Sequence, residues 1–415
     1  MRKRLLLALL AAAVLAPAAP AYAGARFVAS GRAFQKAVAD FRQTGGRIVL
    51  LPGDYRRPLV VGPRSDSLLD IVGTAGARVQ SLRLAHARNV IVRGLIIHPL
   101  TGDAGVVVKR SRRIVFRGDT FTAKGTRFKV GLRLNRSRGV LIRNSVFSHC
   151  GDHTPKWSTC LLPRWAANVR IVHNWFHDCR GCDFIGGRAG PNMVVRENRF
   201  DRALVCRTGW AKCVHQDLIE LFSADGLVVT RNVFGVSQAG GAQLNLATAD
   251  DDVRVVDNLF LREDPRAPGV VPRVAILLGT RLSQRMPLRA VVVNNTILSG
   301  APKGAHAASS IVLGPGYSEV LRRNRPVIAN NVIGWLMEPS LVCARVRDSL
   351  KNVIVNGIAC GQPDSQGDPL LDAQGRPTAA SALVIDQADP ALAPVRDIDG
   401  AARVGPPDIG AYEFP

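Results

Sequence analysis

Hydrophobic and polar positions follow one phrase that recurs over most of the chain. The phrase is a run of three or four mostly β-branched residues, then Asn or Gly, then two or three further apolar residues. In chain order it reads NVIVRGLII, RIVFRGDTF, GVLIRNSVF, VRIVHNWFH, MVVRENRF, LVVTRNVF, VRVVDNLF, AVVVNNTIL, VIANNVI and VIVNGIA. Runs this short are typical of β-strands and too short for helices.

The Asn or Gly of each phrase marks a pivot. The pivots are Gly94, Gly118, Asn144, Asn174, Asn198, Asn232, Asn258, Asn295, Asn331 and Gly357. Their spacings are 24, 26, 30, 24, 34, 26, 37, 36 and 26 residues, which predicts a solenoid with insertions in the longer intervals. Because Asn and Gly tolerate positive φ, we predict a left-handed corner at each pivot. The Asn amides would then stack and hydrogen bond along the solenoid.

A second short strand precedes each phrase, as in GVVVKR, GLRLNR, CDFIGG, QDLIEL and VAILLG. Several short strands per repeat, with no helix between them, predict an all-β fold, a parallel β-helix solenoid of about ten coils. Near the N-terminus, Phe34, Ala37, Val38 and Phe41 have helical spacing. An amphipathic helix is therefore expected to cap the open end of the solenoid, where unpaired strand edges would invite aggregation.

The first residues predict export. A basic MRKR start, an apolar run over residues 5–15 and a small-x-small end at Ala21 and Ala23 indicate a secretory signal peptide, too short to span a bilayer. We expect a secreted or periplasmic protein without stable membrane insertion. The expected divisions are a signal peptide at 1–23, a cap and first coil at 24–60, the β-helix at 61–360 and a C-terminal cap or tail at 361–415.

The net charge of the chain indicates the kind of partner that it binds. The chain has 55 Lys and Arg against 32 Asp and Glu, a net charge of +23. In an exported protein this surplus favours a polyanionic partner. We expect an acidic polysaccharide rather than nucleic acid, bound by a monomer. The alternative is a surplus of surface arginine that has no partner.

Eight cysteines in an exported chain favour disulfides. Cys150 and Cys179 follow their pivots by six and five residues, and Cys160 and Cys182 are 22 residues apart. Cys150–Cys179 and Cys160–Cys182 would therefore bridge neighbouring coils, Cys206–Cys213 would close a loop, and Cys343–Cys360 would tie the C-terminal coils. The alternative is a zinc site using Cys179, Cys182, Cys206, Cys213 and His215, whose spacing fits zinc ribbons less well.

Candidate chemistry gathers where the insertions fall. QDLIEL aligns with CDFIGG one coil earlier, so Asp183 and Asp217 should be neighbours about 5 Å apart, with Glu220 and His215 nearby. Such a pair suits acid–base chemistry or Ca²⁺ binding; no other cofactor is expected. The alternatives are strand-start caps for both aspartates and a packed core imidazole for His215. Whether Asp217 or Glu220 points outward stays open, because side chains alternate along a strand.

The ends of the chain carry a resemblance. The opening AVADF…GGRIVLLPGDY and the ending DIDGAARVGPPDIGAYEF resemble those of the right-handed parallel β-helix (pectin-lyase-like) superfamily. The resemblance implies a right-handed coil and a saccharide-binding cleft formed by the strand before each phrase and its loops. The chain lacks the paired-Asp motif of polygalacturonase-like members and the Asp-Pro-His-Asp motif of alginate epimerases.

These observations favour a polysaccharide lyase that cleaves a uronate-containing polymer by β-elimination. Arg133, Arg180 and Arg188 would neutralise the uronate carboxylate, and His215 or Lys156 would act as the base. Asp183 and Asp217 would orient His215 or hold Ca²⁺. Further substrate contacts are expected from His153, Trp157, Trp210 and Glu220. The alternatives are a glycoside hydrolase or other polysaccharide-modifying enzyme using Asp183 and Asp217, and a non-catalytic glycan-binding solenoid.

Overall fold

A computed structural model describes residues 24–64, 66–99, 104–124, 129–150, 158–204, 216–235, 241–247, 251–261, 274–279, 289–298, 311–336 and 339–415. In this part of the chain, short strands assemble into three long sheets of 13, 13 and 10 strands, which we name sheets A, B and C. Each coil runs from A through B to C, and neighbouring strands are parallel. The predicted parallel β-helix is confirmed.

Within each sheet, strands from successive coils lie side by side. Sheet A contains Ala25–Val28, Gly46–Leu50, Leu69–Gly73, Arg88–Arg93, Arg112–Arg117, Arg138–Arg143, Ala167–Val172, Val194–Arg196, Val228–Thr230, Arg254–Val256, Val291–Val293, Val327–Ala329 and Asp348–Leu350. Sheet B contains Gly53–Tyr55, Ala77–Val79, Ile96–Ile97, Thr120–Thr122, Val146–Ser148, Trp175–Arg180, Arg199–Leu204, Val233–Phe234, Leu259–Phe260, Thr296–Ile297, Val332–Trp335, Val353–Asn356 and Ser365–Gln366. Sheet C contains Leu59–Val61, Leu82–Ala85, Ala104–Lys109, Val130–Asn135, Ser158–Arg164, Cys182–Arg188, Ile219–Phe222, Ala242–Leu246, Val274–Leu278 and Ile311–Leu313.

The N-terminal helix, Gly31–Asp40, covers the first coil as predicted. Its first turn is capped by Ser30, whose hydroxyl accepts a hydrogen bond from the Ala33 amide at 3.2 Å. Phe34 and Ala37 are buried against the first strands. A second helix, Pro339–Arg345, and two 3₁₀ turns, Pro315–Ser318 and Arg322–Asn324, lie near the other end. No helix in the described residues is long and apolar enough to cross a membrane.

The core is a stack of equivalent side chains, one from each coil. On the inner face of sheet B, Phe121, Phe147, Phe176, Phe200, Phe234 and Phe260 form a continuous column with ring centroids 4.3, 4.6, 5.0, 5.1 and 4.5 Å apart. Because strands are about 4.8 Å apart, rings at matching positions stack face to face. Each coil thus buries its apolar face against its neighbours.

A ladder of buried Asn side chains follows the corner between sheets A and B. Its members are Asn174, Asn198, Asn232, Asn258, Asn295, Asn331 and Asn352, and it ends on Asp364. In each step the Nδ2 of one Asn donates to the Oδ1 of the next at 2.9–3.0 Å. The predicted amide stack is confirmed.

The predicted position of the left-handed corner is wrong by one residue in most coils. Gly94, Gly118 and Asn144 do have positive φ, as predicted. From the next coil onward the positive φ belongs to the residue before the ladder Asn, beginning with His173 at +55° and Glu197 at +56°. Asn144 is therefore the equivalent of His173 and not of Asn174. The pivots therefore include two kinds of Asn. Asn144 has the left-handed backbone that turns the chain, whereas Asn174 hydrogen bonds to the neighbouring coils.

The disulfides confirm one expected pair and correct two. Cys343 is bonded to Cys360, as expected, with Cα atoms 5.2 Å apart. Within the coils, however, Cys150 pairs with Cys160, and Cys179 with Cys182, with Cα separations of 5.3 and 5.8 Å. The Sγ atoms of Cys160, Cys179 and Cys182 lie within 4.8 Å of one another, so the predicted neighbourhood was right although the partners were not. Cys206 and Cys213 lie outside the described residues.

Most long connections leave sheet B and return to sheet C, as the insertion pattern predicted. They include residues 149–157, 205–218, 261–273 and 298–310. Two exceptions correct that prediction. Residues 279–290 and 314–326 connect sheet C to sheet A, so these insertions belong to a different corner.

The C-terminal residues after Gln366 fold back along the outside of the solenoid. Asn294 Nδ2 donates to the carbonyls of Asp408 and Gly410 at 2.9 and 3.1 Å. Arg403, whose side chain is 3% exposed, forms ion pairs with Asp257 at 3.0 Å and Glu413 at 2.9 Å. These contacts fix the tail against the corner between sheets A and B.

Candidate functional site

The outer face of sheet C carries a row of side chains in register, which we name the central row. Inward-facing Ile219 and Leu221 are fully buried, so Glu220 between them points to the outer face. The sequence left open whether Asp217 or Glu220 points outward, and on this strand it is Glu220. Strand pairing then gives the row as Val60, Arg83, Val107, Arg133 and Leu162, with Gly186, Glu220, Asn245, Leu277 and Val312 further along.

The N-terminal half of this face is a basic groove. A cavity of about 570 Å³ is lined by Arg56, Arg83, Lys109 and Arg133, with Ser81 and Gln80 at its edge and no acidic residue among its described lining. The Nε of Arg133 is buried without a hydrogen-bond partner among the described residues. Side chains of like charge in one cavity repel each other unless an anion lies between them. The cations that line the groove therefore give it a positive electrostatic potential.

The basic groove continues toward the next coils. A second hollow of about 290 Å³ is lined by Lys109, Asn135, Arg164 and Trp165, together with Arg110 and Arg136. Pairing of Asn135 with Lys109 and with Arg164 shows that these residues form a row beside the central row. The Arg188 guanidinium lies 5.6 Å from the Trp165 ring centroid, within cation–π range.

Beyond the groove lies a polar cluster made of Asp183, Asp217, Glu220 and Asn245. Asp183 Oδ1 accepts from the Asp217 amide at 3.0 Å, and Asp217 Oδ1 accepts from the Ala242 amide. Asp217 Oδ2 accepts from Asn245 Nδ2 at 2.9 Å, and Glu220 Oε1 lies 3.4 Å from the same nitrogen. Asp183 and Asp217 are thus neighbours in successive coils, as predicted, and both cap the start of the following strand.

The cluster offers oxygen atoms to a hard cation. Asn245 Oδ1 is buried and has no hydrogen-bond partner in the described part of the chain. Glu220, only 4% exposed, stands beside it in the central row. Carboxylate and amide oxygens are the ligands that Ca²⁺ prefers, so the donor set of Asp217, Glu220 and Asn245 fits this ion. The same atoms are too polar to serve as an apolar packing surface.

The structure brings several predicted site residues onto one face. Arg133, Arg188, Asp183, Asp217 and Glu220 all belong to sheet C or its leading corner. Arg180 ends the sheet B strand that leads into this corner and pairs with Leu204. His153, Lys156, Trp157, Trp210 and His215 lie outside the described residues.

Sequence reasoning missed Arg83, Lys109, Trp165 and Asn245. A signal was present for two of them. Arg83 and Arg133 are the middle residues of identical LRL triplets, and Asn245 is the middle residue of LNL. Aligning these triplets by their buried leucines would have placed all three outward residues in the central row. Trp165 gave no comparable signal, since it follows its strand at a corner.

Comparison with known proteins supports the fold. Residues 79–260 match the sequence profile of the family described as "Right handed beta helix region". No curated protein matches the chain. The solved structures similar to it include three that illustrate the range of named functions.

An alginate lyase from Paenibacillus sp. str. FPU-7 is 14% identical, with 70% of this chain and 94% of that chain covered, at a TM-score of 0.41. A mannuronic acid specific polysaccharide family 6 lyase from human gut microbiota is 15% identical over 82% and 88%, at 0.47. PfbA, a surface adhesin of Streptococcus pneumoniae, is 12% identical over 68% and 83%, at 0.44. At these identities the likeness concerns the fold alone.

Proposed function

We propose that this right-handed parallel β-helix protein is an exported polysaccharide lyase that cleaves an acidic, uronate-containing polysaccharide by β-elimination. The observation that carries the proposal is the basic groove on sheet C. Its described lining contains cations and no acidic residue, and it leads along one face toward the oxygen-rich polar cluster. The basic groove would hold the polymer, and the cluster would be the reaction centre.

The regular spacing of the arginines in the central row would allow them to bind carboxylates along a polyuronate chain. Arg83 and Arg133 are separated by the single strand of Val107, so their Cα atoms are about 10 Å apart. A guanidinium binds a carboxylate through two parallel hydrogen bonds, which fixes both position and orientation. Trp165, 44% exposed, offers a flat face to a sugar ring. A polyuronate chain would thus lie across the strands of sheet C.

Elimination needs a neutralised carboxylate, a base for the C5 proton and an acid for the leaving oxygen. Arg188 and Arg180, which lie on the coil that carries Asp183, would perform the first task. Ca²⁺ held by Glu220, Asn245 and Asp217 would add positive charge that draws electron density from the uronate carboxylate and acidifies C5–H. Asp183 positions the Asp217 backbone, and Asp217 orients the Asn245 amide.

We assign the base to His215, with Lys156 as the alternative. The base takes the C5 proton, the C4–O bond breaks, and its electron pair leaves with the oxygen while the C5–H pair forms the C4=C5 double bond. The leaving oxygen takes a proton from Lys156 or water. His215 precedes Asp217 by two residues in the sequence.

A hydrolase using Asp183 and Asp217 receives less support. Asp217 is 1% exposed, and both carboxylates accept backbone hydrogen bonds, so neither is aimed at a substrate. Non-catalytic glycan binding is the second candidate function, because the basic groove needs no acid or base to retain a polyanion.

The test measures ultraviolet absorbance of unsaturated uronate products. Purified mature protein is incubated with alginate, polygalacturonate and glycosaminoglycans, with and without added Ca²⁺. We expect product from one polymer class, and at least a hundredfold slower formation by Glu220→Gln and His215→Ala. Both variants should retain the polymer on an affinity gel.

Arg133→Glu tests the basic groove, with Arg254→Glu as a charge-matched control. Arg254 is an exposed residue of sheet A. We expect more than tenfold weaker polymer retention for Arg133→Glu and less than twofold for Arg254→Glu. Retention by the wild type without product would support glycan binding alone. Equal loss in both variants would reject the basic groove.

A further inference from the structure

A second cleft lies at the corner between sheets A and B, the corner that sheet C does not share. It has a volume of about 600 Å³, within the range of small-ligand sites. One wall is formed by Trp175 and Arg199 of sheet B, and the floor by corner residues His173 and Glu197. The other wall is the end of the folded-back tail, including Asp399 and Tyr412. The tail thus covers the later coils and stops beside Trp175.

Trp175 gives this cleft an aromatic platform. The residue is 44% exposed, although it belongs to a regular strand. Its ring stacks on His177 with centroids 3.9 Å apart, and His177 Nδ1 lies 2.7 Å from Asp178 Oδ2. The indole is therefore held in place from one side, while the remainder of its surface faces the cleft.

The charged side chains of the cleft are all paired within the protein. Glu197 lies 2.7 Å from His173 Nε2 and also pairs with Arg231. Arg199 pairs with Asp201 at 2.9 Å. Asp399 pairs with Arg376 at 2.8 Å. In contrast to the basic groove, the positive and negative side chains of this cleft balance each other. These side chains can still donate and accept hydrogen bonds.

The floor of the cleft consists of residues in left-handed corners. His173, Glu197 and Arg231 have φ of +55°, +56° and +52°, and later coils continue the series with Asp257, Asn294, Asn330 and Lys351. The corner thus projects the side chains of His173, Glu197 and Arg231 from three successive coils, and these form the ion-paired floor of the cleft.

We propose that this cleft is a second carbohydrate site, which binds neutral sugar residues. The exposed indole would stack on the apolar face of a pyranose ring, and the paired ions would hydrogen bond its hydroxyl groups. Because every cation among the described lining residues is paired, the cleft would not select uronates. The protein would thus hold an acidic polymer on sheet C and a neutral glycan at the opposite corner.

The test titrates the mature protein with neutral hexasaccharides of β-1,4-linked glucose, mannose, xylose and N-acetylglucosamine. Calorimetry and tryptophan fluorescence report binding. Trp165→Ala is a matched control, because Trp165 is likewise 44% exposed but lies beside the basic groove. We expect one sugar to bind, Trp175→Ala to weaken its binding at least tenfold, Trp175→Phe less than threefold, and Trp165→Ala less than twofold.

Acidic-polymer retention is measured in parallel, so the two sites are judged separately. Trp175→Ala should retain the acidic polymer as the wild type does, and Arg133→Glu should retain the neutral sugar. The proposal is overturned if no neutral hexasaccharide binds at millimolar concentration, or if Trp175→Ala binds it unchanged. A loss of acidic-polymer retention in a folded Trp175→Ala protein would also overturn it, because the cleft would then belong to the acidic-polymer site.

Discussion

At the scale of single residues, the Asn ladder shows how a buried amide can satisfy several neighbours at once. Asn258 Nδ2 donates to the carbonyls of Val229 and Val256 and to Asn295 Oδ1. Its Oδ1 accepts from the backbone and side-chain amides of Asn232. One side chain therefore makes five hydrogen-bonding contacts in the interior, with the two Nδ2 hydrogens shared among three acceptors.

Replacing Asn258 by Ala should destabilise the protein strongly. The change leaves buried donors and acceptors on both neighbouring coils without partners, at about 1–3 kcal/mol for each. We expect a loss of at least about 3 kcal/mol, measured by urea unfolding. Asn135→Ala, at a half-buried position on the outer face of sheet C, should change stability by less than about 0.5 kcal/mol. Similar midpoints for both variants would contradict the assignment.

Asp119 occupies the same corner near the start of the ladder, and burial raises its pKa to about 7. Hydrogen bonds from the amides of Leu95 and Arg117 oppose that rise. The folded state therefore holds a proton that the unfolded chain releases near pH 4. Its stabilising effect is complete below pH 4 and is lost as the pH rises through 7.

For Asp119 we expect a pH-dependent difference between the wild type and Asp119→Asn. The wild type should lose up to about 4 kcal/mol of unfolding free energy between pH 4 and pH 7 through this group. Asp119→Asn, which cannot titrate, should lack that component. Unfolding is followed by circular dichroism across this range, and parallel pH profiles for the two proteins would show that Asp119 does not titrate there.

The residue scale also shows where sequence reasoning reached its limit. The stacking of Asn174, Asn198 and Asn232 was predictable because each follows the same phrase at the same offset. The left-handed residue was not, since His173, Glu197 and Arg231 carry no preference for positive φ. Their conformation is imposed by the coils on either side, and a single repeat does not encode it.

At the scale of elements, the C-terminal tail is attached in part by two buried ion pairs of Arg403. Arg403 bridges Asp257 of the solenoid and Glu413 of the tail, and its NH2 donates to the Gly410 carbonyl at 2.9 Å. Apolar contacts of Ile398 and Tyr412 with Leu259 complete the attachment. The tail, residues 367–415, which we call the strap, thus packs against coils that are far away in sequence.

Removing the cation should release this strap. Arg403→Met leaves two buried carboxylates unpaired, which should cost about 3–5 kcal/mol. We expect cleavage by a protease within residues 367–415 under conditions in which the wild type is resistant. Arg396→Met, an exposed change in the same segment, is the control and should behave as the wild type. Equal resistance of all three proteins would show that the apolar contacts suffice.

Elements differ in how far the sequence determines them. The strands and the capping helix were predictable from periodicity, because each buries one apolar face. The partners of Cys150, Cys160, Cys179 and Cys182 were not. Repeat spacing brings all four to one corner, but the path of the chain at the leading edge of sheet C decides which sulfurs meet.

At the scale of the whole molecule, the charge surplus is organised by the solenoid. The net charge of +23 is a property of composition, whereas the basic groove arises because Arg83, Lys109 and Arg133 come from successive coils. The sequence indicated a polyanionic partner but not its location. Side-chain alternation and the register between coils had to be known before the face could be chosen.

Polymer retention should fall steeply with salt. Between 0.1 and 1 M ionic strength the Debye length shrinks from about 10 to about 3 Å, which screens the cations of the groove. We expect at least tenfold weaker retention of the acidic polymer over this range. Binding of the neutral sugar should change less than twofold. An acidic-polymer affinity that ignores salt would mean that contacts other than charge dominate.

The Asn ladder has a direction, and this sets a rule for lengthening the molecule. Each ladder Asn donates from its Nδ2 to the following coil, and the last acceptor is the Asp364 carboxylate, which receives hydrogen bonds from the Asn352 amide and Nδ2. A duplicated coil inserted between Asn258 and Asn295 would find a donor before it and an acceptor after it. The same coil added beyond Asp364 would meet an ionised carboxylate with no hydrogen to give, so it would lack this side-chain link. The Asn ladder can therefore be lengthened from within without losing a side-chain hydrogen bond.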